Sequence, residues 1–217
     1  MDYATVKSRL RKSYDKHWHD RAGMDDPAWR VKERDAFAEL LESDSGGPAR
    51  VLEIGAGHGA SSEQFAARGL DVLATDLSPN LVAECRRRGL AAEVADFSDL
   101  PYGDGSFDGV FSMNCLLHVP KAEIDGVLGE VSRVLRPGGV FYWGQYGGKD
   151  HEGPLPEDRY DPPRFFALYT SDSLRRTAER RFTVLDLHET VAPSTGGHPY
   201  YGALLRDPVS APGSSPA

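Results

Sequence analysis

A glycine-rich stretch at residues 55–59 (GAGHG) joins a short apolar run to a segment with helical periodicity. Residues without a Cβ let the backbone approach a ligand closely, and the start of a helix offers unpaired N–H donors. Gly55, Gly57 and Ala60 also fit the GxGxxG/A pattern of dinucleotide sites. The stretch therefore indicates a nucleotide-like ligand, with a plain tight turn as the alternative.

Three carboxylates narrow the chemistry of that ligand. Glu53 lies inside the apolar run, where a carboxylate is costly without a partner, and it would repel a pyrophosphate but favour an ammonium group. Asp76 and Asp96 follow the next two predicted strands, where they could bind the ribose diol and the adenine amino group of one nucleoside. Each such bond is worth about 1.5–3 kcal/mol. A helix N-terminal charge at Asp76 and a turn former at Asp96 remain alternatives.

Candidate groups for a second substrate come from other parts of the chain. His118 follows the fourth predicted strand, at the edge where open α/β sheets bind ligands, and is the candidate general base. Packing or a cofactor contact is the alternative role. Tyr14 and Trp18 in the N-terminal segment, Tyr146 at the end of the fifth predicted strand, and Arg164 are candidate substrate contacts, although such side chains often only pack.

Strands and helices alternate along the part of the chain that must position these groups. Apolar runs predict strands over residues 50–54, 70–75, 91–95, 109–113 and 140–146, and Ser78-Pro79 is expected to cap one of the intervening helices. This alternation is typical of a parallel sheet with helices on both faces. A late pair of strands over 182–189 and 199–206 would close the sheet with an antiparallel edge. Two helices are predicted before residue 45, and a long loop over 147–163.

Composition places limits on the protein class. The 217 residues carry 25 Lys and Arg against 33 Asp and Glu, a net charge of −8 that argues against nonspecific nucleic-acid binding. No apolar run approaches the roughly 18 residues of a membrane span, and no signal peptide is apparent, so we expect a cytoplasmic protein. The two cysteines are isolated, and His17, His19 and Asp20 are too few for a convincing metal site, so no metal is expected.

Three runs in order, VLEIGAGHGASSEQFAARGLDVLATDLS, ADFSDLPYGDGSFDGVFSMNCLLHV and EVSRVLRPGGVFYW, resemble the class I S-adenosylmethionine-dependent methyltransferases. The resemblance covers roughly residues 50–146. It implies a Rossmann-like α/β fold whose seven-stranded, mostly parallel sheet has an antiparallel last strand, with S-adenosylmethionine as cofactor and S-adenosylhomocysteine as product. The residues that it assigns to the cofactor are Glu53, Gly55, Ala56, Gly57, Gly59, Asp76, Leu77, Asp96, Phe97 and Asn114. Phe97 could instead belong to the core.

The resemblance and the local composition together predict how the chain is divided. Residues 1–45 would form an N-terminal helical lid, 46–207 the methyltransferase domain with a substrate-side insert at 147–169, and 208–217 a disordered tail. The expected activity is methyl transfer to a small organic acceptor, on oxygen or nitrogen, with natural-product metabolism as one setting. No membrane partner is expected, and the sequence does not predict an oligomeric state.

Alternative functions remain open. A basic stretch in the first predicted helix leaves an RNA or protein acceptor as one alternative, although the solvated face of a lid helix is the explanation that we favour. Its cations are Lys7, Arg9, Arg11, Lys12, Lys16 and Arg21. After the fourth predicted strand the chain lacks the Asn/Asp-Pro-Pro-Tyr motif of base-amine methylation. A non-catalytic module that binds the cofactor is the other alternative.

Overall fold

The computed structural model describes residues 2–19, 26–44, 47–190 and 197–208. The helices are α1 (Tyr3–Lys16), α2 (Ala28–Asp44), α3 (Ala60–Ala67), α4 (Pro79–Arg87), α5 (Ile124–Val134) and α6 (Ser171–Ala178). The strands are β1 (Arg50–Ile54), β2 (Asp71–Asp76), β3 (Ala92–Val94), β4 (Phe107–Met113), β5 (Leu135–Tyr146), β6 (His151–Gly153), β7 (Phe166–Leu168), β8 (Thr183–Thr190) and β9 (Tyr200–Arg206). Asp20, Arg21 and most of the predicted tail lie outside these ranges.

Seven strands form one sheet in the order β3-β2-β1-β4-β5-β9-β8. Strands β1 to β5 run parallel, and β9 pairs antiparallel with both β5 and β8. This arrangement confirms the predicted α/β fold and its antiparallel closing strand. The chain order reverses between β1 and β4, and ligands of open α/β sheets bind outside the carboxyl ends of the strands at such a reversal.

Helices cover both faces of the sheet. On one face, Phe37 of α2 packs its ring 5.4 Å from Phe65 and 5.2 Å from Phe111, and Phe111 stacks on Tyr142 at 4.6 Å. On the other face the apolar side of α5 packs into the larger core cluster. Helix α2 is therefore part of the core, whereas α1 lies across the carboxyl edge of the sheet and touches α4.

The insert contains more regular structure than the predicted loop over 147–163. Strand β6 pairs antiparallel with β7, with Gly153 opposite Phe166. Strands of three residues are too short to show an alternating pattern, which is why the sequence did not indicate them. Within the described ranges, the helices are too short or too polar to cross a lipid bilayer.

Candidate active site

The glycine loop leaves β1 at the reversal point and enters α3. Gly55, Gly57 and Gly59 have φ angles of +67°, +59° and +87°, in the left-handed region that favours glycine. A Cβ on Gly55 would overlap the Cβ of Cys115, and one on Gly59 would lie 2.5 Å from Cδ1 of Leu90. The missing side chain of Gly55 thus allows the segment after β4 to pack against the loop. Gly59 does not line either of the two cavities described below, so its role is to allow close packing against Leu90.

Asp76, at the end of β2, fixes the shape of this loop. One carboxylate oxygen accepts the backbone N–H of Gly57 at 2.9 Å, and the other accepts the backbone N–H of Ser78 at 2.9 Å. The side chain and its neighbour Leu77 line the smaller of two adjoining cavities. Asp76 therefore joins the glycine loop to the start of α4 and presents a carboxylate to that cavity.

Glu53 of β1 is buried, with 3% of its surface exposed, and faces the larger cavity. Burial raises the pKa of its carboxyl to about 7, although the Ser62 hydroxyl donates to it at 2.5 Å and the Arg34 guanidinium also favours the charged form. A carboxylate held in this way gains from a cationic group brought next to it. Ala56 and Gly57 line the same wall of the cavity.

The smaller cavity lies between the sheet edge and α1. Asp96 and Phe97, which follow β3, form one side, and Tyr3 and Lys7 of α1 form the other. The Lys7 ammonium lies 2.5 Å from the Asp96 carboxylate and 2.9 Å from the Ser98 hydroxyl. Burial opposes ionisation of Asp96, but Lys7 and Ser98 outweigh it and hold the pKa of its carboxyl below the usual value. In this conformation Lys7 is paired with the Asp96 carboxylate, which the sequence predicts to bind an adenine amino group.

Asn114 stands where the two cavities meet and lines both. Its φ of +58° lies in the left-handed region, which asparagine adopts more readily than most residues with a side chain. Its Oδ1 atom is buried and finds no hydrogen-bond partner among the described residues. An acceptor atom in that position fits a ligand that donates a hydrogen bond at the junction.

The larger cavity has a volume of about 810 Å³. Tyr14, His118, Tyr146 and Arg164 line it, so the structure brings together four of the five predicted substrate residues. Trp18 lies outside both walls, with its ring 3.6 Å from that of His19. Arg159 and Tyr160 of the insert also line it, as do Arg30, Phe166 and the leucines 117, 155 and 168, which the sequence did not indicate.

A hydrogen-bonded chain crosses the wall of this cavity. His118 ends a 3-10 turn (Leu116–His118), is 5% exposed, and places Nδ1 2.7 Å from the Phe165 carbonyl oxygen. Its Nε2 lies 2.7 Å from the Tyr14 hydroxyl. Arg164 donates to the same hydroxyl at 3.1 Å and pairs with Asp158 at 2.7 Å. The candidate base is thus linked to helix α1 and to the insert.

The basic stretch of α1 is not simply a solvated face. Besides Lys7, Lys16 pairs with Asp161 of the insert at 2.6 Å, and Arg9 donates to the Pro163 carbonyl at 3.4 Å. Tyr3, Lys7, Leu10 and Tyr14 recur at helical spacing, and this was the signal that could have placed Lys7 on the inner face. In the part of the chain that the structure describes, no three His, Cys, Asp or Glu residues gather as metal ligands.

Comparisons with known proteins agree with this geometry. Residues 52–143 match the family model described as a methyltransferase domain. A demethylmenaquinone methyltransferase of Beutenbergia cavernae is 40% identical over 143 residues, which are 59% of this chain and 59% of that protein. The chain therefore matches about three fifths of the length of this curated relative.

Solved structures share the fold over nearly the whole chain. The 1,6-didemethyltoxoflavin-N1-methyltransferase of Burkholderia thailandensis, solved with 1,6-didemethyltoxoflavin and S-adenosylhomocysteine, has a TM-score of 0.74 at 23% identity, covering 96% of this chain and 91% of that one. The [4+2]-cyclase SpnF has a TM-score of 0.70 at 20% identity, covering 94% and 97%. The sequence match to the methyltransferase domain spans the glycine loop and the central strands, and these solved structures share the fold of the chain around that segment.

Proposed function

We propose that the protein transfers a methyl group from S-adenosylmethionine to a small organic acceptor. The observation that carries this proposal is the arrangement of Glu53, Asp76 and Asp96 around one glycine loop at the carboxyl ends of β1 to β3. A buried carboxylate with a raised pKa suits the cofactor's ammonium group, and the other two suit a ribose diol and an adenine amino group. The relatives named above act on small molecules, as their names state.

The residues present fit this cofactor. Asn114 Oδ1 is a buried acceptor at the junction of the cavities, and Leu77 and Phe97 supply apolar walls for a flat base. The cofactor, when bound, supplies an electrophilic methyl group on a sulfonium. The chain's own part is to align the acceptor atom with that methyl group and to exclude water, and alignment alone can lower a barrier by about 7–11 kcal/mol.

The acceptor is proposed to enter the larger cavity, in which the predicted base His118 lies. A cavity of about 810 Å³ suits a small molecule. Lys7 and Lys16, which would attract a polyanion, are engaged within the chain, which favours a small acceptor over RNA. The cytoplasmic location stays a prediction from the sequence.

The experiment is calorimetric titration with S-adenosylmethionine of the wild type and of two aspartate variants. Asp76→Ala removes the carboxylate proposed for two ribose hydroxyls, so affinity should fall at least about 100-fold. Asp71→Ala, at the exposed opposite end of the same strand, is the matched control and should keep wild-type affinity. The absence of micromolar binding by the wild type, or equal affinities for both variants, would contradict the proposal.

A further inference from the structure

We infer that Tyr14 takes the proton from the acceptor and passes it to His118, and that the acceptor is a planar molecule methylated on a hydroxyl group. This inference rests on the proposed methyl transfer. Tyr14, on helix α1, contacts the acceptor directly. His118, at the edge of the sheet, receives the proton from Tyr14.

The orientation of the His118 ring follows from its two partners. A carbonyl oxygen only accepts hydrogen bonds, so the nitrogen 2.7 Å from the Phe165 oxygen, Nδ1, carries a hydrogen. In the neutral ring, Nε2 is then the atom that accepts a proton. Nε2 faces the Tyr14 hydroxyl at 2.7 Å, so the geometry directs a proton to His118 by way of Tyr14.

Arg164 prepares Tyr14 for this role. Its guanidinium donates to the Tyr14 oxygen at 3.1 Å, and a fixed positive charge there stabilises the negative charge that develops as the phenol proton leaves. Asp158 holds Arg164 in place, since its side chain is 1% exposed and accepts from the Arg164 backbone N–H at 2.7 Å as well as from the guanidinium. Arg164 and Asp158 are positioning residues.

The wall of the cavity indicates the shape of the acceptor. Aromatic rings and leucines supply flat apolar surface, from Tyr14, Tyr146, Tyr160, Phe166, Leu117, Leu155 and Leu168. Arg30 and Arg159 lie on the same wall, beside the carboxylates of Asp26 and Glu157, and a guanidinium can stack on the face of an aromatic ring. A hydroxylated planar ring system satisfies both features, and its hydroxyl supplies the proton for which the Tyr14–His118 pair is arranged.

Proton transfer along this relay accompanies methyl transfer. The acceptor O–H bond breaks as its proton moves to the Tyr14 oxygen, while the Tyr14 proton moves to Nε2 of His118. The electron pair left on the acceptor oxygen forms the new bond to the methyl carbon, and the carbon–sulfur bond breaks with its electrons remaining on sulfur. The extra proton, held on His118 beside the Phe165 carbonyl, leaves to solvent when the site opens.

Two matched probes test the relay: 7-hydroxy-4-methylcoumarin and its 6,8-difluoro derivative, which have similar shapes but differ in acidity. At neutral pH the difluoro compound is already ionised and needs no base. The Tyr14→Phe variant should therefore lose about 100-fold or more in kcat with the parent compound and little with the difluoro compound. Raising the pH should restore turnover of the parent compound by this variant, because the acceptor then ionises without help.

Further variants separate the relay from a structural role. Tyr14→Phe combined with His118→Asn should be no slower than either single variant, because both interrupt one path. Tyr102→Phe, whose hydroxyl bonds to Glu93 outside both cavities, is the control for loss of a phenol hydroxyl and should behave as the wild type.

Three outcomes would overturn the inference. If Tyr14→Phe lost the same factor in kcat with both probes, Tyr14 would have only a structural role. If the losses in kcat were additive in the double variant, Tyr14 and His118 would not act on one proton path. A wild type that binds S-adenosylmethionine but methylates neither probe would refute the planar hydroxylated acceptor. Failure to bind the cofactor, measured calorimetrically on the same preparation, would instead refute the proposed function.

Discussion

Replacing Glu53 with glutamine should change how stability depends on pH. The carboxyl is buried, and its pKa rises from the ordinary 4.5 to about 7 because burial disfavours the charged form. Glutamine keeps an oxygen that can accept from the Ser62 hydroxyl but cannot ionise. The substitution therefore removes the cost of a buried charge while retaining the shape of the site.

The size of the effect follows from the two pKa values. Each tenfold change in proton affinity corresponds to about 1.4 kcal/mol, so ionising Glu53 costs the native state about 3 kcal/mol relative to the unfolded chain. A native pKa above the unfolded one means that the native state binds the proton more tightly. Stability is therefore lost as the pH rises from about 4.5 to about 7 and changes little beyond that range.

Urea unfolding of the ligand-free protein at pH 5 and pH 8 measures this difference. The wild type should lose about 2 kcal/mol more than Glu53→Gln between the two pH values. Glu39→Gln, at an exposed position on α2, should follow the wild type. Addition of S-adenosylhomocysteine at pH 7 should release protons from the wild type only, because its ammonium group favours ionised Glu53. If the free energy of unfolding depended on pH in the same way for the wild type and Glu53→Gln, a raised pKa of Glu53 would be refuted.

Two further variants test the lid and the loop. Lys7→Met frees the carboxylate that the ammonium now occupies, and since the pair is partly exposed, S-adenosylmethionine should bind up to about fivefold more tightly by calorimetry. Weaker binding would show instead that Lys7 contacts the cofactor. Gly55→Ala places a methyl group against Cys115 at a positive φ, so urea unfolding should show a loss of about 1–3 kcal/mol. An unchanged midpoint would contradict that clash.

Local patterns in the sequence were sufficient for much of the fold. Ser78 was expected to cap a helix, and it is the N-cap of α4, where its side chain accepts from the Leu81 N–H and Pro79 is the first helical residue. The glycine loop and the acidic residues at successive strand ends were predicted in the same way. These features depend on residues that are adjacent in the sequence, so they can be predicted without knowing how distant segments pack.

Contacts between distant segments were not predictable in this way. Glu33 of α2 looks like a surface residue in sequence, yet it is 4% exposed and accepts from the Tyr142 hydroxyl at 2.8 Å. It also pairs with His188, and this carboxylate raises the pKa of the imidazole to about 9. The partners are more than 100 residues away, so no local pattern records them. The pairing of Lys7 with Asp96 was missed for the same reason.

Helix α1 has a consequence for the order of events in turnover. Its 14 residues span roughly 20 Å and touch the smaller cavity at Lys7, the larger one at Tyr14 and the insert at Lys16. A continuous helix moves as one body, so it does not uncover one cavity while staying seated on the other. Under the proposed function, we therefore expect donor and acceptor to enter through one opening, and both products to leave when α1 moves.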